Sequence, residues 1–296
     1  MHNFLNDSEL AVYDGKNFNL SDYDTGYTDS IKSKKKAAKQ MRADQEELHN
    51  LQRMMYAGDK HALLIIFQAM DAAGKDSTIR AVFSNMFPQA GLVQSFKAPT
   101  THELDQDYLW RHQAALPQRG RFSVFNRSYY EEVLVTRVHP GYIVGQRIPG
   151  IDQESDIKPN FWKARFKSIR DHEQHLAENG TVILKFFLNV GKEEQKRRFL
   201  ERINNPDKNW KFSHGDLKER GLWPKYQHAY EEAIRNTSAI HAPWFVIPAD
   251  NKWFMRMAVS NIIVNRLKNL GLSYPELSIA EVEALQGAAD MLNNEK

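Results

Sequence analysis

The sequence predicts an α/β protein of three layers, a parallel sheet flanked by helices, and three observations carry that prediction. Residues 61–70 form a continuous apolar run of strand length, the pattern of a strand buried on both faces. Strand-like and helix-like segments alternate along the rest of the chain with short connections, which favours right-handed crossovers and parallel pairing. The 296 residues, 42% of them hydrophobic, suffice for one sizeable core.

In chain order, residues 1–30 carry Asp, Asn, Tyr and Gly without a sustained period and read as an extended arm. Strong helix formers over 31–56 set Met41, Leu48, Leu51, Met54 and Met55 on an apolar stripe, and Gly58 ends that helix. Residues 1–57 are thus an N-terminal arm and helix. The buried strand is followed by a helix after Gly74, a strand over 91–96, a helix over 101–116 and a strand over 121–125. Strands at 181–190 and 244–248 each lead into a helical segment. Residues 58–275 make up the α/β domain, and 276–296 a tail with a peripheral helix at 279–292 that packs on the core or on a partner.

Composition narrows the chemistry. With no cysteine, disulfides, thiolate zinc sites and thiol nucleophiles are excluded, so catalysis rests on oxygen, nitrogen and a hard metal ion. The 11 histidines show no metal-ligand spacing. No segment approaches the roughly 18 to 20 apolar residues of a membrane span, and the start lacks the order of a signal peptide, so the chain reads as cytoplasmic. Forty Lys and Arg against 37 Asp and Glu leave +3, too little to imply a polyanionic partner by itself. Local clusters stand out instead. One is Lys32, Lys34, Lys35, Lys36, Lys39 and Arg42, which reads first as a solvated helix face; the other runs from Lys192 to Lys211.

The sharpest motif is Phe67-Gln-Ala-Met-Asp-Ala-Ala-Gly-Lys-Asp-Ser-Thr78, which leaves the buried strand and opens a helix. The small residues Ala69, Ala72, Ala73 and Gly74 let backbone N–H groups curl around phosphate oxygens at a helix N-terminus, and Lys75 adds a full charge. Asp76 and Ser77 follow at the same place. Two departures from G-x-x-x-x-G-K-S/T are present: Ala69 replaces the first Gly and Asp76 the metal-binding hydroxyl. Asp71 lies four residues before Lys75, and a carboxylate among phosphates suits a site that holds Mg²⁺. The plain alternative is an ordinary strand-turn-helix with an exposed lysine.

At the end of the 121–125 strand stands Asn126-Arg-Ser-Tyr-Tyr-Glu-Glu132. In a doubly wound sheet this position adjoins the phosphate loop, where Arg127 is placed to neutralise a transferring phosphoryl group and Glu131 to complete a metal or water shell. The competing reading pairs Arg127 with a carboxylate at the helix start.

Together, Gln68-Ala-Met-Asp-Ala-Ala-Gly-Lys-Asp76, Asn126-Arg-Ser-Tyr-Tyr-Glu131 followed by Val133-Leu-Val-Thr-Arg-Val138, and Asn209-Trp-Lys-Phe212 resemble the type-2 polyphosphate kinases. The likeness runs from about Lys32 to Pro275 and is strongest to the subgroup that phosphorylates nucleoside monophosphates as well as diphosphates. It implies a P-loop kinase fold similar to thymidylate kinases, with a helical lid around residues 191–225. It implies transfer of the terminal phosphoryl group of inorganic polyphosphate to AMP or ADP, with an adenine or guanine base and Mg²⁺ or Mn²⁺. By matching position, Asp71 helps bind the metal and orients the acceptor, Lys75 bridges phosphates and Arg127 stabilises the transferring group. Asn126 stands where other members carry a metal-binding Asp, and marks the monophosphate-accepting subgroup.

Arg198 and Arg202 lie one turn apart on the second basic helix and both suit a lid face turned toward phosphates. The resemblance adds Arg80, Lys208 and Lys211 to a line of cations for the polymer, and Lys97 for the acceptor phosphate. Trp210 and Phe212 read as anchors holding the lid down. The arm and the C-terminal helix suggest a homodimer or homotetramer, and neither nucleic acid nor membrane is expected as a partner. Two other readings stay open. An ATP-dependent nucleoside monophosphate kinase shares loop and lid, and a non-catalytic nucleotide-binding module shares the loop; a guanine-reading Asn/Thr-Lys-x-Asp is lacking at Asn251-Lys-Trp-Phe254.

Overall fold

The computed structural model describes residues 5, 7–29, 31 and 33–295, without the side chains of Asp7 and Lys211. Lys32 and the Lys211 side chain therefore lie outside the described part. The chain builds β1 (Ala11–Val12), α1 (Lys34–Gly58), β2 (Ala62–Gln68), α2 (Lys75–Val82), β3 (Gly91–Ser95), α3 (Thr101–Leu104), α4 (Trp110–Gln113) and β4 (Phe122–Asn126). Then come α5 (Val135–Val138), α6 (Gly141–Val144), α7 (Pro159–Glu178), β5 (Thr181–Asn189), α8 (Lys192–Asn204), α9 (His214–Gly221), α10 (Trp223–Thr237), β6 (Trp244–Pro248), α11 (Lys252–Lys268) and α12 (Ile279–Asn293).

The sheet order is β1-β6-β5-β2-β4-β3, and every pairing is parallel except β1 with β6. Every residue of β2 is buried, as its apolar run requires for a strand covered on both faces. On one face α11 is apolar nearly all round, because it lies between the sheet and α1. β2 pairs with β4 on one side and β5 on the other, in register Phe67 with Asn126 and Gln68 with Phe187. The connections from β2 and β4 leave in different directions at that point, which opens a crevice at the carboxyl ends of the strands.

Within the segment that reads as an extended arm, a short strand joins the sheet. β1 pairs Ala11 with Phe245 and Val12 with Trp244. Leu10, Val12, Phe18 and Leu20 are buried, the Phe18 carbonyl accepts from Arg235 and the Leu20 amide donates to Glu231 at 3.1 Å. Gly15 makes this possible: a Cβ there would stand 2.0 Å from the Arg235 carbonyl oxygen. The helix expected over 101–116 is also broken, into α3 and α4. Thr100 and Glu103 form a capping box that starts α3, and the Asp107 carboxylate accepts from the Leu109 amide at 2.8 Å, a local bond that competes with continuing the helix. Gly58 is the last helical residue of α1; the left-handed cap is Asp59, at φ 46°. α12 has no buried residue. Among the described residues no helix is long and apolar enough to cross a membrane.

Candidate functional site

The loop between β2 and α2 sits at the crevice. Ala72 and Gly74 adopt positive φ, 60° and 109°, so the chain turns tightly and presents the first amides of α2 to the opening. Gly74 is required twice over. Its backbone conformation disfavours any side chain, and an added Cβ would lie 3.3 Å from Met255 Cε and 3.4 Å from Ser77 Oγ. Ser77 closes the turn by donating to the Gly74 carbonyl at 3.0 Å. Lys75 folds back over the loop and donates to the Ala69 carbonyl at 2.6 Å. Burial and the neighbouring Arg127 charge pull its amine down to about 8, against the partial compensation of Asp71, Glu131 and Asp76.

Arg127 reaches the same place from β4. Its φ is 66°, an uncommon conformation for a side chain of its size, and its amide donates to the Phe67 carbonyl at 3.0 Å. The guanidinium lies 3.4 Å from Asp71 Oδ1, both side chains remaining partly exposed. Glu131, and then Asp71, hold the guanidinium firmly charged. Burial raises the Glu131 carboxyl, opposed by Arg127 and Lys75. With its amide turned to suit its neighbours, Gln68 donates to Glu131 Oε1 at 2.9 Å. The turn carrying Arg127 and Glu131 is pinned from behind: Tyr129 and Tyr130 both donate to Glu173, which also receives Lys185 Nζ at 2.6 Å, all fully buried.

Asn126 donates to Asp76 Oδ1 at 2.7 Å, joining the end of β4 to the start of α2. A cavity of about 360 Å³ beside α3 adjoins a larger one of about 610 Å³, whose wall includes Asp71, Lys97, Arg127, Glu131, Asp216 and Arg220. Asp71 supplies hard carboxylate oxygens suited to Mg²⁺, but among the described residues no three His, Asp or Glu side chains cluster as a preformed metal site. The donor set therefore fits an ion that takes most of its ligands from phosphates and water.

The structure brings Asp71, Lys75, Asp76, Asn126, Arg127 and Glu131 together at the loop mouth. It corrects Arg198. This side chain is 3% exposed, and its donors are spent on the carbonyls of Ala72, Ala73, Ala249 and Asp250 and on Glu194. It clamps the loop from behind rather than closing over phosphate, because its place on α8 sets it against the carbonyls of the loop and of residues 249–250. Arg202 pairs with Asp216 at 3.6 Å, Lys208 with Glu201, and Arg80 and Lys97 are exposed. Phe212 meets Phe199 edge to face at 6.5 Å and does anchor the segment. Trp210 does not: at 77% exposed it stays over its own 3₁₀ turn, its ring nitrogen donating to the Asp207 carbonyl.

Sequence reasoning missed the residues that tie α8 and α9 to the loop. Gln195 donates to the Asp71 carbonyl at 2.9 Å and accepts from Arg220 at 2.9 Å. Glu219 accepts from Tyr226 at 2.6 Å and pairs with His139 at 2.8 Å. No spacing in the sequence signals these contacts, most of which join segments far apart in the chain.

Comparison with known proteins bears on this geometry. The family model described as polyphosphate kinase 2 (PPK2) matches residues 31–273. The chain belongs to the polyphosphate kinase 2 family. This PPK2-family chain is 46% identical over 277 residues to a Rhodopseudomonas palustris protein named ADP-polyphosphate phosphotransferase, covering 94% of the chain and 95% of that protein. It is 44% identical over 264 residues to a Meiothermus ruber protein named AMP/ADP-polyphosphate phosphotransferase, covering 89% and 93%. The crystal structure of polyphosphate kinase 2 from Arthrobacter aurescens superposes with a TM-score of 0.84 at 36% identity, covering 95% of this chain and 96% of that one.

Proposed function

We propose that this protein transfers the terminal phosphoryl group of inorganic polyphosphate to a nucleoside mono- or diphosphate, AMP or ADP. The observation that carries the reading is the convergence of Lys75, Asp71 and Arg127 at one loop mouth, beside a cavity large enough for a nucleotide. The names of the two relatives support both acceptors.

In this reading the amides of residues 72–75 cradle the donor's terminal phosphates, and Lys75 leaves the Ala69 carbonyl to bridge them. The acceptor phosphate enters from the 610 Å³ cavity past Lys97. Arg127 follows the charge of the group in flight, and Asp71 and Glu131 would hold Mg²⁺ or Mn²⁺ together with phosphate oxygens. When bound there, such an ion would supply positive charge to offset that of the phosphates. Asn126 keeps Asp76 turned toward β4. The segment over 191–225 acts as the lid, with Arg202 and Lys208 turning to the polymer once Asp216 and Glu201 are exchanged for phosphate, and Lys211 is proposed to extend that line. We further propose a cytoplasmic homodimer or homotetramer, with light scattering as the check on assembly.

The deciding experiment incubates purified protein with polyphosphate, Mg²⁺ and either AMP or ADP, and follows ADP and ATP. Product from polyphosphate is expected. Phosphorylation of AMP by ATP with none from polyphosphate would assign an ordinary nucleotide kinase instead.

A further inference from the structure

Lys34, Lys35, Lys36, Lys39 and Arg42 stand exposed at the start of α1, with no acid anywhere between Lys34 and Arg42. None of them forms an ion pair among the described residues, whereas further along the same helix Glu47 pairs with Lys268 at 3.0 Å. The first turn holds no acidic residue, so these cations repel one another and weaken their own helix. A row that costs its helix stability and pairs with nothing is suited to an anion.

Its direction identifies which anion. α1 passes the C-terminal end of α2 and the turn that follows it, running in the same sense as that stretch of chain. Gln45 Nε2 donates to the Ala81 carbonyl at 2.6 Å, His49 meets the Asn85 carbonyl at 3.1 Å, and Gln52 accepts from the Phe87 amide at 2.9 Å. Moving back along α1 from Gln45 therefore leads toward the Lys75 end of α2. From Gln45 to Lys35 the axis advances about 15 Å, and from Ala81 to Lys75 only about 9 Å. The basic row draws level with the phosphate loop and continues past it. Lys35, Lys39 and Arg42 are spaced i, i+4 and i+7, one face of the helix. Arg80, near the end of α2, is exposed, and Arg256 of α11 is close enough to both Arg80 and Arg198 to feel their charge.

We propose that Lys35, Lys39 and Arg42 form a distal subsite for the tail of a polyphosphate donor, taking phosphate units beyond those held at Lys75. This rests on the polyphosphate reading above and adds a chain-length preference to it. Long chains would bind through the row and release counterions along it, whereas short ones would end before reaching it.

The test compares wild type with a Lys35→Gln, Lys39→Gln, Arg42→Gln triple variant, using long-chain polyphosphate and tripolyphosphate as donors. The expected result is a KM for long chains raised by roughly tenfold or more and a shallower salt dependence, by roughly two units of slope. Tripolyphosphate kinetics should be unchanged, and thermal stability should rise slightly as the repulsion along the row is relieved. Equal effects on both donors, or none on either, would overturn the subsite. Equilibrium binding of long-chain polyphosphate to the same two proteins separates the two readings. If wild type binds the polymer more tightly than the variant yet turns over neither donor, the subsite stands and the catalytic reading fails. If single-stranded oligonucleotide binding falls in the variant while long-chain KM does not, the row serves nucleic acid and the proposal is wrong.

Discussion

Replacing Arg198 with Met distinguishes a clamp from a substrate contact. The guanidinium donates at 2.7 and 3.1 Å to the carbonyls of Ala73 and Ala72, at 2.5 and 3.2 Å to those of Ala249 and Asp250, and at 2.7 Å to Glu194. Met keeps most of the stem but leaves four carbonyls without this donor, while Glu194 keeps Arg197. Breaking a buried charged network of this kind costs about 3–5 kcal/mol. At about 2–4 °C per kcal/mol for a chain of this size, the melting temperature should fall by roughly 10 °C. Because two of the freed carbonyls belong to the phosphate loop, kcat should drop by about tenfold to a hundredfold through misplacement of Lys75. Arg198→Lys should recover little, since a single ammonium cannot reach carbonyls on both sides. Differential scanning fluorimetry with steady-state kinetics makes the check. An unchanged melting temperature with only the polyphosphate KM raised would refute the clamp and restore Arg198 as a lid cation.

Three further outcomes follow from the same geometry. Lys75 carries its charge below about pH 8 in the free protein and loses it as pH rises through that value, so kcat/KM should decline above about pH 8. Lys75→Arg should move that limb upward if it retains activity, and a decline at the same pH in the variant would assign the limb to another group. Lys185→Met leaves the Glu173 carboxylate buried between Tyr129 and Tyr130, and should cost about 3–5 kcal/mol in urea unfolding. The double variant with Glu173→Gln should regain much of it, and additive losses would contradict the pairing. Asn126→Asp sets a second carboxylate against Asp76 across the present 2.7 Å bond. The added carboxylate should bind the cation more tightly, so turnover should need less Mg²⁺ and fall more with AMP than with ADP; an unchanged metal titration and acceptor ratio would contradict this reading of position 126.

What the sequence disclosed depended on how local the cause was. β2 is legible because burial on both faces forces an unbroken apolar run. Lys75, Asp71 and the loop are legible because a phosphate cradle needs small residues, a turn and a helix start within one short segment. β1 and residues 7–29 were not, because they are held by single side chains such as Arg235 and Glu231 more than 200 positions away, which impose no period on the residues they hold. The helix expected over 101–116 failed for an equally local reason that periodicity ignores, the Asp107 side chain taking an amide that the helix needed. Arg198 is the more instructive case. Carbonyl oxygens and phosphate oxygens are both acceptors, so an inward arginine face satisfies either, and only the fold decides which it meets. Arg202, four residues later, is 25% exposed, pairs with Asp216 at 3.6 Å and lies over the Phe199 ring at 5.5 Å. Of that pair it is the one whose partner can be exchanged for a phosphate without unpairing the loop.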